Sequence, residues 1–269
     1  MATLNYVHAV DEVPSLDIAV TTLGFAHTET WEAALANASA RGRPAMWIYN
    51  GGRPAAGGFN IQEEASGPRS ISWAMFKKGI ELYFYWLSTY YSNWQAGESH
   101  VDIMNRAQTF GRIDMIDELR GETGWMYGNG DGVLFYPGTD HFFPESNYNN
   151  PGPLASLRLK YWRRGLQDAD YLHRAVEVLG QEAVDALLEE LVPKILWEVD
   201  VPAADDPTWA RTNTSWPEEW DAWEVVRIEL GRQLSARIGA ACVSKESTAP
   251  APPPPCHPTG GAKEWQSGG

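Results

Sequence analysis

The segment Ala45-Met46-Trp47-Ile48-Tyr49 is a short, continuous apolar run that ends at Asn50-Gly51-Gly52. A helical pattern follows at residues 70–80, and the apolar run Leu82-Tyr83-Phe84-Tyr85-Trp86-Leu87 comes directly after it. This strand–helix–strand order is typical of parallel strands that are connected by helices. Because both runs are apolar throughout, we expect strands that are buried on both faces, as in a parallel sheet.

The same alternation extends in both directions along the chain. Residues 16–22 form an earlier strand candidate, followed by a helical pattern at 28–41, and residues 132–136 form a fourth strand candidate. Three further helices are predicted, at residues 155–179, 181–197 and 218–241. The fold class predicted from this pattern is α/β, either a small open sheet or half of a closed (β/α)8 barrel, which needs eight such units.

Composition excludes several classes of function. The 269 residues carry a formal net charge of -14, which repels phosphate backbones and argues against nucleic-acid binding. No apolar run reaches the roughly 18–20 residues that span a bilayer, so we expect no membrane-spanning segment. We also expect no signal peptide at residues 1–10, and the sequence does not indicate a cellular compartment. Cys242 and Cys256 are too few to form a disulfide framework.

Aromatic and amide side chains follow the predicted strands, at the edge where α/β folds place their working residues. Rings that stack on a pyranose face, together with amides that bind hydroxyl groups, suit a sugar ligand. Each single aromatic residue is equally compatible with a place in the core. The residues at this edge are Tyr49, Asn50 and Arg53 after the second strand, Tyr85, Trp86, Thr89 and Tyr90 after the third, and Tyr136, Thr139, Asp140 and His141 after the fourth.

Catalytic groups are harder to place from the sequence. Paired carboxylates carry most glycoside hydrolysis, but acidic pairs are common in a chain with 35 acidic residues and most lie on solvated surface. The six histidines are scattered, so we predict no metal site and no cofactor. The acidic pairs are Asp11–Glu12, Glu63–Glu64, Asp117–Glu118 and Asp205–Asp206.

Two blocks of sequence resemble the C-terminal part of the catalytic domain of glycoside hydrolase family 123. One is Trp47-Ile48-Tyr49-Asn50-Gly51-Gly52-Arg53-Pro54, with Arg69, Trp73 and the strand at residues 82–87 after it. The other is GNGDGVLFYPGTD at residues 128–140, followed by Ser156-Leu157-Arg158-Leu159 and by the segment at 163–172 that contains Gln167-Asp168 and Tyr171-Leu172. The resemblance covers about residues 16–175.

The resemblance implies a TIM-barrel hydrolase that acts on β-linked N-acetylgalactosamine. In this family the 2-acetamido oxygen of the sugar attacks the anomeric carbon, an Asp orients that group, and an adjacent Glu is the general acid and base. The retained strands would be the fifth to eighth of the barrel. The substrate contacts implied in this chain are Tyr49, Asn50, Arg69, Trp73, Tyr85, Trp86, Tyr136 and Asp140.

Asp11 and Glu12 are the acidic pair upstream of these strands and therefore the candidates for the catalytic pair. They precede the strand at 16–22 by about five residues, which is too few for a crossover helix. We therefore expect a chain that begins partway through a barrel and lacks the pair. Its exposed sheet edges would invite association with a missing first half or with a second copy.

This interpretation divides the chain into three parts. Residues 1–180 are the half-barrel, residues 181–243 are a helical extension packed on it, and residues 244–269 are a disordered tail rich in proline and glycine. The function implied is that of a glycoside hydrolase-like protein with a carbohydrate as its partner. The alternative is a non-catalytic carbohydrate-binding relative or an inactive fragment.

Overall fold

The computed structural model describes residues 2–3, 13, 18–22, 28–42, 47–50, 52–61, 63–111, 128–146, 148–199 and 214–246. The fold is α/β, as predicted. The strands are β1 Ala2–Thr3, β2 Ala19–Thr22, β3 Trp47–Tyr49, β4 Tyr83–Phe84, β5 Gln108–Phe110, β6 Gly128–Asn129, β7 Phe135–Tyr136 and β8 Leu154–Ala155. The helices are α1 Thr28–Ala40, α2 Gly67–Lys78, α3 Leu157–Leu179, α4 Gln181–Leu191 and α5 Trp220–Glu246.

The first four strands form one parallel sheet in the order β1-β2-β3-β4. Helix α1 connects β2 to β3, and α2 connects β3 to β4, so the strand–helix–strand prediction for residues 45–87 is confirmed. Ile48 pairs with Tyr83 and Tyr49 pairs with Phe84 in register. Neighbouring strands therefore end at the same level, and their following residues meet at one edge.

The two faces of this sheet are buried unequally. Ile48 and Tyr83, which pair in register, are buried against the helices, whereas Val20 pairs with Trp47 and is buried on the opposite face. Trp47 and Tyr49 on β3 are only half-buried, because alternate residues of a strand point to opposite faces. The second face is thus rich in aromatic side chains that keep part of their surface accessible.

Residues 132–136 do not continue the parallel sheet. Strand β7 is shorter than the predicted strand and pairs antiparallel with β8. The segment before it runs antiparallel to the residues after β4, with Tyr90 N–H donating to the Gly132 carbonyl at 2.9 Å and Leu134 N–H to that of Ser88 at 2.8 Å. A parallel return needs a crossover, and the described part of the connection contains no α-helix.

Many of the tryptophans form core. Trp31, Trp73 and Trp223 are almost completely buried, and the rings of Trp31 and Trp197 stack with centroids 4.9 Å apart. The high Trp content therefore reflects the packing of helices as much as any ligand surface.

The helices are connected by a buried carboxylate, Asp168, in the middle of α3. Its Oδ2 accepts hydrogen bonds from Arg69 Nε at 2.5 Å and from Trp73 Nε1 at 3.1 Å, both on α2. Its Oδ1 accepts from Arg227 on α5. Arg69 also pairs with Glu224 on α5 at 2.7 Å. This buried network joins α2, α3 and α5.

A glycine permits the close approach of α2 and α3 beside this network. A Cβ at Gly165 would lie 2.7 Å from the carbonyl oxygen of Arg69 and 2.9 Å from Ser72 Oγ. These distances are shorter than any normal contact of a Cβ atom. Helices α2 and α3 can therefore approach this closely because residue 165 has no side chain.

Part of the predicted C-terminal tail lies outside the described residues. Helix α5 extends through Glu246 and so includes the first three residues of the predicted tail, whereas residues 247–269 are not described. The boundary at residue 180 falls between α3 and α4 and stays a prediction. In the described part of the chain, no helix combines the length and apolar character needed to cross a membrane.

Replacing Asp168 with Ala is expected to lower the free energy of unfolding by about 3 kcal/mol, because it removes one partner of a buried charge pair. The Arg69 side chain is 0% exposed and, among the described residues, would keep Glu224 as its one ionic partner. Urea denaturation measures the change. Asp170→Ala, at an exposed position on the same helix, is the matched control and should change stability by less than about 0.5 kcal/mol. Equal effects of the two substitutions would contradict the role given to Asp168.

Candidate functional site

The candidate site lies at the carboxyl ends of β3 and β4. Asn50 follows β3 with a φ of 44°, and its N–H donates to the Phe84 carbonyl at 3.1 Å, which turns the chain sharply out of the sheet. The rings of Tyr49 and Phe84 lie side by side with centroids 5.4 Å apart. Asn50 Oδ1 is buried and has no hydrogen-bond partner in the part of the chain that the structure describes.

Asp131 is the charged group at this edge. Its Oδ1 accepts hydrogen bonds from Tyr85 Oη at 2.9 Å and from Trp86 Nε1 at 3.2 Å. Gly132 has a φ of 76°, and its N–H donates to Tyr85 Oη at 2.7 Å. The turn that contains Asp131 is therefore fixed against the residues that follow β4.

The charge on Asp131 acts on both tyrosines of the site. Burial raises the pKa of the Tyr85 phenol, and the negative charge of Asp131 raises that pKa further. Burial and Asp131 also raise the pKa of Tyr49. Both phenols stay protonated at neutral pH and can therefore act as hydrogen-bond donors.

Arg158, in the first turn of α3, holds the loops that form the site. Its guanidinium donates to the carbonyls of Phe59, of Gly130 at 2.6 Å and of Val133 at 2.7 Å, and reaches Tyr136 Oη at 3.3 Å. These carbonyls belong to the loop after β3 and to the loop before β7. One cation thus satisfies backbone acceptors of both loops and holds them together.

A pocket with a volume of about 410 Å³ lies beside Arg158, and we call it the Glu63 pocket. Glu63 Oε2 accepts a hydrogen bond from Gly58 N–H at 2.6 Å. Burial raises the pKa of the Glu63 carboxyl to about 7, and the charge of Asp131 adds to this effect, whereas the Gly58 N–H and Arg53 oppose it. Its walls include Asn60, Glu63, Glu64, Tyr136, Arg158 and Tyr161.

The structure brings together five of the predicted substrate contacts. Tyr49, Asn50, Tyr85 and Trp86 lie around the ends of β3 and β4, and Tyr136 joins them through Arg158.

Three other groups of predicted residues do not join this site. Arg69 and Trp73 are 0% and 1% exposed and bind Asp168 in the core, so the structure gives them a role in helix packing and no access to a ligand. Asp140 Oδ1 accepts from the backbone N–H groups of Phe142 and Phe143, and Asp140 lines a separate, smaller pocket. Asp11 and Glu12 lie outside the described residues.

Three residues of the site were not predicted. Asp131 and Arg158 lie within the quoted sequence blocks, but a glycine-flanked Asp and an Arg in a first helical turn carry no distinctive signal alone. Glu63 was one of several acidic pairs, and only burial distinguishes it. No group of three or more His, Cys, Asp or Glu side chains in the described ranges is placed to hold a metal ion.

The raised pKa of Glu63 has a consequence for stability. A carboxyl whose pKa is higher in the folded than in the unfolded state stabilises the fold below the unfolded value, and this stabilisation is lost as pH rises through the folded value. The free energy of unfolding should therefore fall relative to that of Glu63→Gln between about pH 4.5 and pH 7, by up to about 3 kcal/mol.

Urea denaturation of wild type and Glu63→Gln at pH 5 and pH 8 measures this difference. The control is Glu190→Gln, an exposed position on α4. A constant difference between wild type and Glu63→Gln across this range would show that Glu63 does not titrate there.

No protein-family model matches the chain, and no curated protein matches it. Among solved structures, the chain is similar to a family 123 glycoside hydrolase from Clostridium perfringens, whose structural analysis concerns glycolipid glycan hydrolysis. The identity is 11% and the TM-score 0.40, and the match covers 91% of this chain and 35% of the other. The chain thus spans about a third of the length of that structure.

Proposed function

We propose that this chain is a glycoside hydrolase-like protein that binds a 2-acetamido sugar at the carboxyl end of its parallel sheet. The proposal combines the sequence resemblance to family 123 with the composition of the site. Its alternative is a protein that binds the same sugar without cleaving it.

The observation that carries the proposal is the unpaired acceptor of Asn50 beside the aromatic side chains that end β3 and β4. Asn50 Oδ1 is buried without a partner among the described residues, next to half-buried rings of Tyr49 and Phe84. Buried acceptors are nearly always satisfied, so a hydroxyl donor from a ligand fits this position. Ring faces that are apolar but accessible suit the C–H face of a pyranose.

We retain Asp11 and Glu12 as the candidate catalytic pair, because β1 provides a strand upstream of them. Strand β1 lies upstream of the pair in the chain and is parallel to β2. A connection between parallel strands needs a dozen or more residues, and the chain between β1 and β2 has them.

In the proposed reaction, the sugar's own 2-acetamido oxygen attacks the anomeric carbon. Asp11 orients and polarises the acetamido group, and Glu12 protonates the leaving oxygen and then activates water. Tyr49, Asn50, Tyr85 and Trp86 hold the sugar, and Asp131 fixes the last two. The in-order parallel strands β1 to β4 are consistent with part of a (β/α)8 barrel, which we include in the proposal.

Hydrolysis of 4-nitrophenyl N-acetyl-β-D-galactosaminide by the purified chain tests this proposal. Loss of a general acid and base should lower kcat about 10²–10⁴-fold in Glu12→Gln, and Glu190→Gln should retain wild-type turnover. The matching galactoside has no acetamido group and should not be cleaved. Binding of the N-acetylated sugar without turnover would support the non-catalytic alternative, and absence of both binding and turnover would reject the proposed function.

A further inference from the structure

The Glu63 pocket adjoins the proposed sugar site and is not used in the proposed reaction. It lies between the loop after β3 and the first turn of α3, and its volume of about 410 Å³ is within the range of small-ligand sites. Tyr136 and Arg158 belong to both sites, and the charge of Asp131 acts on Glu63. The pocket therefore shares two residues with the candidate site and lies close enough to Asp131 for its charge to act there.

Two acceptors in this pocket are unsatisfied. Asn60 Oδ1 and Glu64 Oε2 are buried, and neither has a hydrogen-bond partner among the described residues. A buried acceptor without a donor costs free energy, because it has lost water and gained nothing in return. Hydroxyl or N–H donors of a ligand would satisfy both atoms.

The charges around the pocket favour a neutral ligand over a cation. Glu64 is paired with Arg53, and the guanidinium of Arg158 lies in the wall. Burial holds the pKa of Glu63 at about 7, so this carboxyl is largely protonated in mildly acidic solution and can itself donate a hydrogen bond. The pocket therefore combines donors, acceptors and the rings of Tyr136 and Tyr161 without a strong negative charge.

We propose that the Glu63 pocket binds a second, neutral sugar ring of the glycan, through hydroxyl groups that donate to Asn60 Oδ1 and Glu64 Oε2. The identification of the ligand as a sugar rests on the proposed function. The site itself rests on the cavity, its unpaired acceptors and its aromatic walls.

The test compares the affinities of two probes by calorimetry in a Glu12→Gln background, which prevents cleavage. The probes are methyl N-acetyl-β-D-galactosaminide and a β-1,4-linked N-acetylgalactosaminyl-galactose disaccharide. We expect the disaccharide to bind about 10-fold more tightly, as one or two further hydrogen bonds would provide. Asn60→Leu and Tyr161→Ala should remove this advantage and leave the affinity for the monosaccharide unchanged. Tyr148→Ala, which is 75% exposed and outside the pocket, is the control.

Stability separates a binding role of Asn60 from a structural one. Leu has a similar volume and removes the unpaired acceptor, so Asn60→Leu should keep or raise the melting temperature while the disaccharide advantage is lost. A marked fall in the melting temperature of Asn60→Leu would show that Asn60 serves the fold. Equal affinities of the two probes for the protein with Asn60 unchanged would overturn the second sugar site and leave the proposed function standing. If neither probe binds, both this proposal and the proposed function are rejected.

Discussion

The buried carboxylate of Asp168 is the interaction on which the arrangement of the helices depends. It lies in the middle of α3 and accepts hydrogen bonds from two residues of α2 and one of α5. A charge in the protein interior is tolerated only when it is paired and hydrogen-bonded, so the three helices have little freedom to shift around it. Because α2 begins at the end of the loop after β3, and Arg158 lies in the first turn of α3, this network also fixes the two segments from which the site is built.

Arg158 connects helix α3, and with it the Asp168 network, to the loops of the site. Its guanidinium donates hydrogen bonds to backbone carbonyls of two loops that are distant in sequence. Gly130 has a φ of 70°, which favours glycine, and a Cβ there would lie 2.6 Å from Arg158 Nη1 and would displace the guanidinium. The GNGDG segment thus combines two glycines that shape the turn with the Asp131 that binds Tyr85 and Trp86.

The sequence predicted the elements more closely than it predicted the surroundings of the polar residues, for a physical reason. Helix periodicity and short apolar runs are local properties, so α1 to α3 and the strands β2 to β4 begin and end within about three residues of their predicted bounds. Helix α4 instead ends at Leu191, before Pro193 and not at residue 197, and α5 continues past residue 241 to Glu246. Whether Arg69 faces a ligand or a buried carboxylate depends on Asp168, which lies 99 positions away. In the same way, the pKa of Glu63 depends on burial by residues of another element, which a pattern of acidic pairs cannot reveal.

The unequal faces of the parallel sheet connect the fold to the proposed site. Parallel sheets in α/β proteins are covered on both faces, and helices α1 to α3 pack on the face that contains Ile48 and Tyr83. The other face carries Trp47, Tyr49 and Phe84, whose rings are only half-buried. Every strand places alternate residues on opposite faces. One set of side chains therefore packs against the helices, and the alternate set forms an accessible aromatic surface that extends to Asn50. This aromatic surface of the protein lies beside an unpaired hydrogen-bond acceptor. The combination fits a sugar better than a purely apolar molecule, because a pyranose offers both C–H faces and hydroxyl donors.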